Sequence, residues 1–230
     1  MKDFKFSLYE VFGYFLPGAV LGVALVLLFW CFFFSDKPIP ILTWHFDSRD
    51  WVAVVIACYF LGHIAQALGN LLFASTEHRI LSRDDDESWT DIFKAAEQKA
   101  IEQLGSEQQQ ISRTWLYRYM DEYVVQNGNL GDRELFTYRE GFYRGTSVSL
   151  LVLSVSMLVR LIIPNSAIPF PPYVYYPSRW QIAFLLIVLV ASTFLMYRRF
   201  RRFSEHRVNR GVVAFLATRE RDTGDSQEDS

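Results

Sequence analysis

Residues 11–35 and 51–76 contain no Asp, Glu, Lys or Arg. Crossing the ~30 Å hydrocarbon core of a bilayer takes roughly 20 helical residues, so both runs are long enough to span it. A soluble domain would distribute its apolar residues at helical or strand spacing; here they are gathered in blocks. Neither block alternates strictly, which points to helices and away from a β-barrel. The first run is too long for the apolar core of a signal peptide, and no small-residue cleavage site follows it. Two further runs lie towards the C-terminus. Gly145–Ile163 is apolar except for Arg160 and is ended by Pro164. Trp180–Tyr197 is apolar and is followed at once by Arg198-Arg199-Phe200-Arg201-Arg202. The fold class expected is therefore all-α: a polytopic membrane protein with four transmembrane helices and a helical cytoplasmic loop.

The positions of Lys and Arg orient these spans. The short connections carry few: Lys37 and Arg49 between spans one and two, and only Arg179 between three and four. The other side holds Lys2, Lys5, nine Lys or Arg between spans two and three, and eight after span four. The positive-inside rule then makes the protein multi-pass with both termini and the long loop cytoplasmic. The chain divides into a first transmembrane hairpin over 1–76, with spans at about 11–35 and 51–74, and a cytoplasmic helical region over 77–144. A second hairpin covers 145–197, a basic cytoplasmic helix 198–220, and an acidic tail 221–230 whose composition predicts disorder. The outer segment "PFPPYVYYPSRW" is rich in Pro, Tyr and Trp, as suits a rigid cap at the headgroup level. Arg160, within a turn of Pro164, is expected to extend towards the outer headgroups.

Within the loop, "TDIFKAAEQKAIEQL" places Ile92, Phe93, Ala96, Ala100, Ile101 and Leu104 on one helical face, and Gly105 stops it. A second helix, "SRTWLYRYMDEYVV", ends at the turn-rich "QNGNLGD", and a third, "RELFTYREGFYRG", feeds into span three. These helices alone make a weak core, so they are expected to pack on each other, on the membrane face or on a neighbouring subunit. "RDDDES" at 83–88 offers oxygen ligands but lacks EF-hand spacing and a second acidic cluster, so it reads as a solvated linker capping the next helix. After span four, Phe200, Phe203, Val208, Val212, Phe215 and Leu216 recur at near-helical spacing, predicting that the fourth helix continues into the cytoplasm. Arg198, Arg199, Arg201 and Arg202 are placed to contact anionic lipid headgroups, at ~1 kcal/mol each. No nucleic-acid-binding motif accompanies them, and none is expected to bind nucleic acid.

The sharpest feature is "GHIAQALGN", residues 62–70, inside the second span. His63, Gln66 and Asn70 fall on one helical face, with Gly62, Ala65 and Gly69 beside them. Small residues let helix backbones approach and polar ones hydrogen-bond across the gap, so this face is expected to meet protein or water and not lipid. The first span supplies the partner. Pro17 has no N–H, so the Gly13 carbonyl loses its helical donor and needs a replacement in hydrocarbon. Spans one and two run in opposite directions, and at ~1.5 Å per residue Gln66 and His63 lie near the depth of Gly13 and Pro17, with Asn70 nearer Glu10. The expectation is that the Gln66 amide or the His63 ring donates to the Gly13 carbonyl, and that Glu10 pairs near Asn70. Two principal readings of this cluster stay open: interhelical hydrogen bonding, or the lining of a water-filled path, in which His63 would be pH-sensitive. A third is an intramembrane catalytic His.

An enzyme is not expected. There is no HExxH, GxSxG, Walker-type loop or paired-Cys motif, and the four histidines are scattered on both sides of the membrane. Cys31 and Cys58 both lie within spans without ligand spacing, so neither a disulfide nor a metal site is expected, and no cofactor. No internal repeat of the transporter kind relates the two hairpins. Four helices hardly enclose a channel alone, so conduction would require a homo-oligomer. The aromatic entry "LYEVFGYFLPG", the "GHIAQALGN" helix, a cytoplasmic loop ending "YREGFYRG" and a basic tail together resemble the small multi-span membrane proteins of bacterial anti-phage defence systems of the retron, CBASS and Kiwa types. The resemblance covers the whole architecture and implies an inner-membrane effector that permeabilises the membrane on infection and is held silent by a cytoplasmic protein partner. The alternative is a membrane scaffold or anchor subunit, or a small channel or transport protein unrelated to defence.

Overall fold

A proline near the start of an apolar helix sets the geometry of the N-terminal segment. In a regular α-helix the Pro17 ring would clash with the carbonyl four residues earlier, that of Gly13. The chain takes a wider π turn there, Val11–Phe15, before continuing as α1 (Leu16–Phe33). The computed structural model describes residues 11–33, 47–82, 87–104, 112–127, 133–162, 168–170, 173–175 and 178–222. The remaining helices are α2 (Ser48–Leu72), α3 (Ala74–Leu81), α4 (Glu87–Leu104), α5 (Arg113–Gln126), α6 (Arg133–Ile162) and α7 (Arg179–Asp222). Between α6 and α7 a short antiparallel ladder joins β1 (Ile168–Phe170) to β2 (Tyr173–Tyr175), with Ile168 opposite Tyr175. Pro169 is tolerated in it because both strands are edges.

The chain is helical apart from that ladder, among the described residues. Three helices carry stretches long and apolar enough to cross a membrane: Ser48–Leu72, Phe136–Ile162 and Arg179–Thr218. The first apolar helix, Gly13–Phe29, is shorter. Local sequence explains where the helices begin. Asp50 accepts from the backbone N–H of Asp47 at 3.0 Å, closing the first turn of α2. Ser178 and Gln181 form a reciprocal capping box at the start of α7: Gln181 Oε1 accepts from Ser178 N at 2.8 Å, and Ser178 Oγ from Gln181 N at 3.4 Å. Ser112 caps α5 by accepting from Trp115 N.

The chain divides into two compact units. Unit 1 contains the N-terminal 72 residues and 138–200, that is, α1, α2, most of α6 and the first half of α7. Unit 2 contains 73–137 and the chain from 201 onwards. Its core is Ile80, Leu81, Phe93, Ala96, Ala100, Leu116, Tyr117, Met120, Val124, Val208, Val212 and Phe215. The second half of α7 thus completes a core that the loop helices alone leave weak. The expected apolar face of α4 is narrower than its sequence suggests. Phe93, Ala96 and Ala100 are buried, whereas Ile92 and Ile101 are exposed. The two alanines allow such close approach that residues one position round the helix fall outside the contact.

Two cations tie unit 2 together. Lys99, itself buried, donates from Nζ to the carbonyls of Phe215 and Leu216 and lies 4.6 Å from the centre of the Phe215 ring. A cation is favoured there because helix carbonyls near a C-terminus carry partial negative charge. Arg113 donates to Leu81 O at 3.3 Å and pairs with Glu97 at 3.5 Å, linking α3, α4 and α5. Asp84–Asp86 of the acidic linker, Gly105 and the acidic tail beyond 222 lie outside the described residues.

Candidate functional site: a polar cluster between apolar helices

Small residues bring α1 and α2 into backbone contact. A methyl group on Gly62 would fall on the carbonyl of Tyr14, and one on Gly18 on the carbonyl of Cys58. Gly62, Ala65 and Gly69 are the buried residues of α2. The partners run in opposite senses, Tyr14 beside Gly62 and Gly18 beside Cys58, so the two helices are antiparallel.

Gln66 sits next to this contact. Its Nε2 donates to Gly13 O at 3.1 Å. The carbonyl left without a helical donor by Pro17 therefore has one from the neighbouring helix. The other side of Gln66 faces α6. A Cβ on Gly141 would stand 3.3 Å from Gln66 Nε2, and one on Gly145 3.3 Å from both Gln66 Cγ and Pro17 Cβ. The side chain thus lies in a notch cut by two glycines. A reciprocal notch accepts Arg144, whose Cγ would be 2.6 Å from a Cβ on Gly69. Arg144 pairs with the buried Glu140 one turn earlier at 3.7 Å.

Further along, α6 repeats one contact. Ser149 Oγ lies 2.8 Å from Pro17 O and 2.9 Å from Gly145 O of its own helix. Seven residues on, Ser156 Oγ lies 2.9 Å from both Ala24 O and Val152 O. Each single hydroxyl proton is shared between an intrahelical and an interhelical carbonyl. Both numbers rise by seven together, so α6 runs parallel to α1. On a different face Ser147 Oγ reaches Thr193 O of α7 at 3.4 Å.

The structure does not bring all the expected residues together. Gly13 and Pro17 are buried and Gln66 is half-buried between helices. Of the three polar residues of α2 expected to meet protein or water, only Gln66 is enclosed between helices of this chain, while His63 and Asn70 are exposed. The reason is helix rotation: the Gly62/Ala65/Gly69 edge takes the contact and carries only Gln66 in with it. His63 is stacked on Tyr14 with ring centres 4.1 Å apart and 23° between planes, and it meets the edge of Tyr59 at 4.8 Å. Glu10 lies outside the described residues. Arg160, expected to reach outwards, is only 4% exposed. It falls one turn after Ser156 on the face of α6 turned to α1, so its side chain is enclosed by protein.

Arg198, Arg199, Arg201 and Arg202 are all exposed, and Arg201 pairs with Glu205 at 3.1 Å. Sequence reasoning missed the serine contacts of α6. The signal was present as Gly141, Gly145, Ser149 and Ser156, small residues at near-regular intervals along one helix. No protein-family model matches the chain, and no curated protein or solved structure is similar to it.

Proposed function

We propose that the chain is a four-span protein of the bacterial inner membrane, with both termini and unit 2 in the cytoplasm. In this reading it is an oligomeric membrane-perturbing effector of anti-phage defence, governed by a cytoplasmic protein partner that docks on unit 2. The fourth crossing is supported by pairing. Although α1 is the shortest apolar helix, it lies against α2 and α6 from the π turn to Ala24, so it occupies the depth that they occupy. Opposed directions for α1 and α2, and matched ones for α1 and α6, suit an even number of crossings. The Lys and Arg distribution then sets both ends inside. The exposed arginines after span four serve as contacts for anionic headgroups.

The observation that carries association is His63. It is exposed within the uncharged run 51–76, stacked on Tyr14 of the run 11–35, and lipid tails offer it no hydrogen-bond partner. A polar group at that depth is accounted for when protomers, or water held by them, cover it. Inducible expression of the chain alone, in a host without its neighbouring genes, with a potential-sensitive dye, tests the effector. Collapse of membrane potential with growth arrest is expected. A membrane-inserted protein that leaves potential and growth unchanged gives the result to the second reading.

That second reading is a scaffold or anchor subunit. It is favoured by the Gln66–Gly13 bond and the paired serine bonds, which use polar groups to close the helix bundle and leave them no part in lining a path.

A further inference from the structure

The exposed edge of α2 has a regular composition. Val52, Ile56, Tyr59, His63, Gln66 and Asn70 follow one another at intervals of four, three, four, three and four residues, the spacing of a helix seam that packs along its length against another helix. Gln66 is turned inwards to Gly13. The other five are exposed: Val52 is 59% exposed, Ile56 55% and Tyr59 38%, with His63 and Asn70 exposed as well although His63 also stacks on Tyr14. Three of those five carry polar groups, and among the described residues nothing hydrogen-bonds to the side chains of Tyr59, His63 or Asn70. Lipid tails supply neither donors nor acceptors, so such groups mark a protein-facing or water-facing edge.

We infer that this edge is where a second copy of the chain docks, α2 against α2 in parallel, a proposal that rests on the reading above that protomers associate. A second copy fits for two reasons. Inserted with the same topology, it presents each seam residue at the depth of its own equivalent, as in a parallel coiled coil, where a polar pair in the seam sets register. The groups are also self-complementary. A neutral imidazole has one donor and one acceptor, a phenol both, and an amide two of each, so His63 can pair with His63 or Tyr59 of the second copy and Asn70 with Asn70. The stacking of Tyr14 on one face of the His63 ring and the edge contact of Tyr59 hold the imidazole in place before docking.

Cysteine crosslinking of the full-length chain in native membranes tests this, in a Cys31→Ala, Cys58→Ala background. Val52→Cys and Ile56→Cys are expected to give dimers on oxidation. Ile187→Cys, more exposed than either but on α7, is expected to stay monomeric. Equal yields at both faces, or none at Val52 and Ile56, overturn the proposal. Replacing His63 and Asn70 together by Leu should cut the Ile56→Cys dimer yield several-fold. His63→Gln, which keeps a donor and an acceptor, should restore it; failure of that rescue in a membrane-inserted variant counts against the seam. If His63→Cys reacts with a charged, membrane-impermeant thiosulfonate as fast as a residue of unit 2, the edge faces water and not a second copy. The two readings separate cleanly. Seam crosslinks with unchanged membrane potential keep the interface and sink the effector. Depolarisation without seam crosslinks does the reverse.

Discussion

At Gly13 one missing hydrogen atom decides where a distant side chain goes. Pro17 removes the N–H that would bond the Gly13 carbonyl, and Gln66 replaces it from fifty-three residues away at 3.1 Å. Hydrogen bonds between membrane helices stabilise by about 0.6–2 kcal/mol, because an unpaired carbonyl in hydrocarbon is the alternative. Gln66→Leu should therefore destabilise the bundle by about 1–2 kcal/mol in reversible unfolding from mixed micelles. Pro17→Ala returns the helical donor while keeping the Cβ that packs beside Gly145. In that background Gln66→Leu should cost less than about 0.5 kcal/mol, the coupling being the non-additivity of two groups that serve one carbonyl. Equal costs in both backgrounds would show that Gln66 acts by filling the glycine notch alone. This contact was legible from sequence, since proline chemistry names the orphan and the depth count names the donor. The burial of Lys99 was not, because a lysine on an amphipathic helix ordinarily reads as solvated, and nothing local reveals that the end of α7 returns to meet it.

Between whole helices, the glycines decide which faces meet. Gly62 and Gly13 lie close to the same contact but differ in what a methyl group would encounter. At Gly62 it strikes the Tyr14 backbone, which cannot yield without separating α1 from α2; at Gly13 nothing lies within 4 Å. Gly62→Ala is thus expected to cost about 3 kcal/mol or more, at the upper end for overpacking. Gly13→Ala should be close to neutral. The same unfolding measurement checks both, and similar values for the two would rule out close backbone approach as the organising contact. Three helices long and apolar enough to cross a membrane were legible, because length and unbroken hydropathy suffice for that. The rotation of α2 was not. Its polar and small residues occupy adjacent strips of one helix, and a single sequence does not say which strip is turned inwards. The strip expected to meet protein or water divides, with Gln66 enclosed between helices and His63 and Asn70 exposed. The wide apolar arc of α4 failed in the same way, with Ile92 and Ile101 at its margins left exposed.

For the molecule as a whole, pairing and charge constrain one another. Contacts within unit 1 make α1 antiparallel to α2 and parallel to α6, which fixes the relative sense of three apolar helices without reference to a membrane. The positive-inside rule then needs to orient only one of them for all three to follow. The proposed topology puts unit 2, which holds most of the basic residues of the long loop, in the cytoplasm together with the end of α7. A cysteine at Trp115, which is 49% exposed on α5, reports on this directly in the Cys31→Ala, Cys58→Ala background. Trp115→Cys should react with an impermeant maleimide in inside-out vesicles and stay unlabelled in intact spheroplasts until they are lysed. A cysteine at Ser178, in the connection that precedes α7, should show the opposite pattern. If both positions label from the same side, α6, which lies between them in the chain, does not cross. If both patterns invert together, the helix pairing stands and only the charge-based orientation fails. A single pair of labelling sites therefore tests the helix pairing and the Lys and Arg orientation separately.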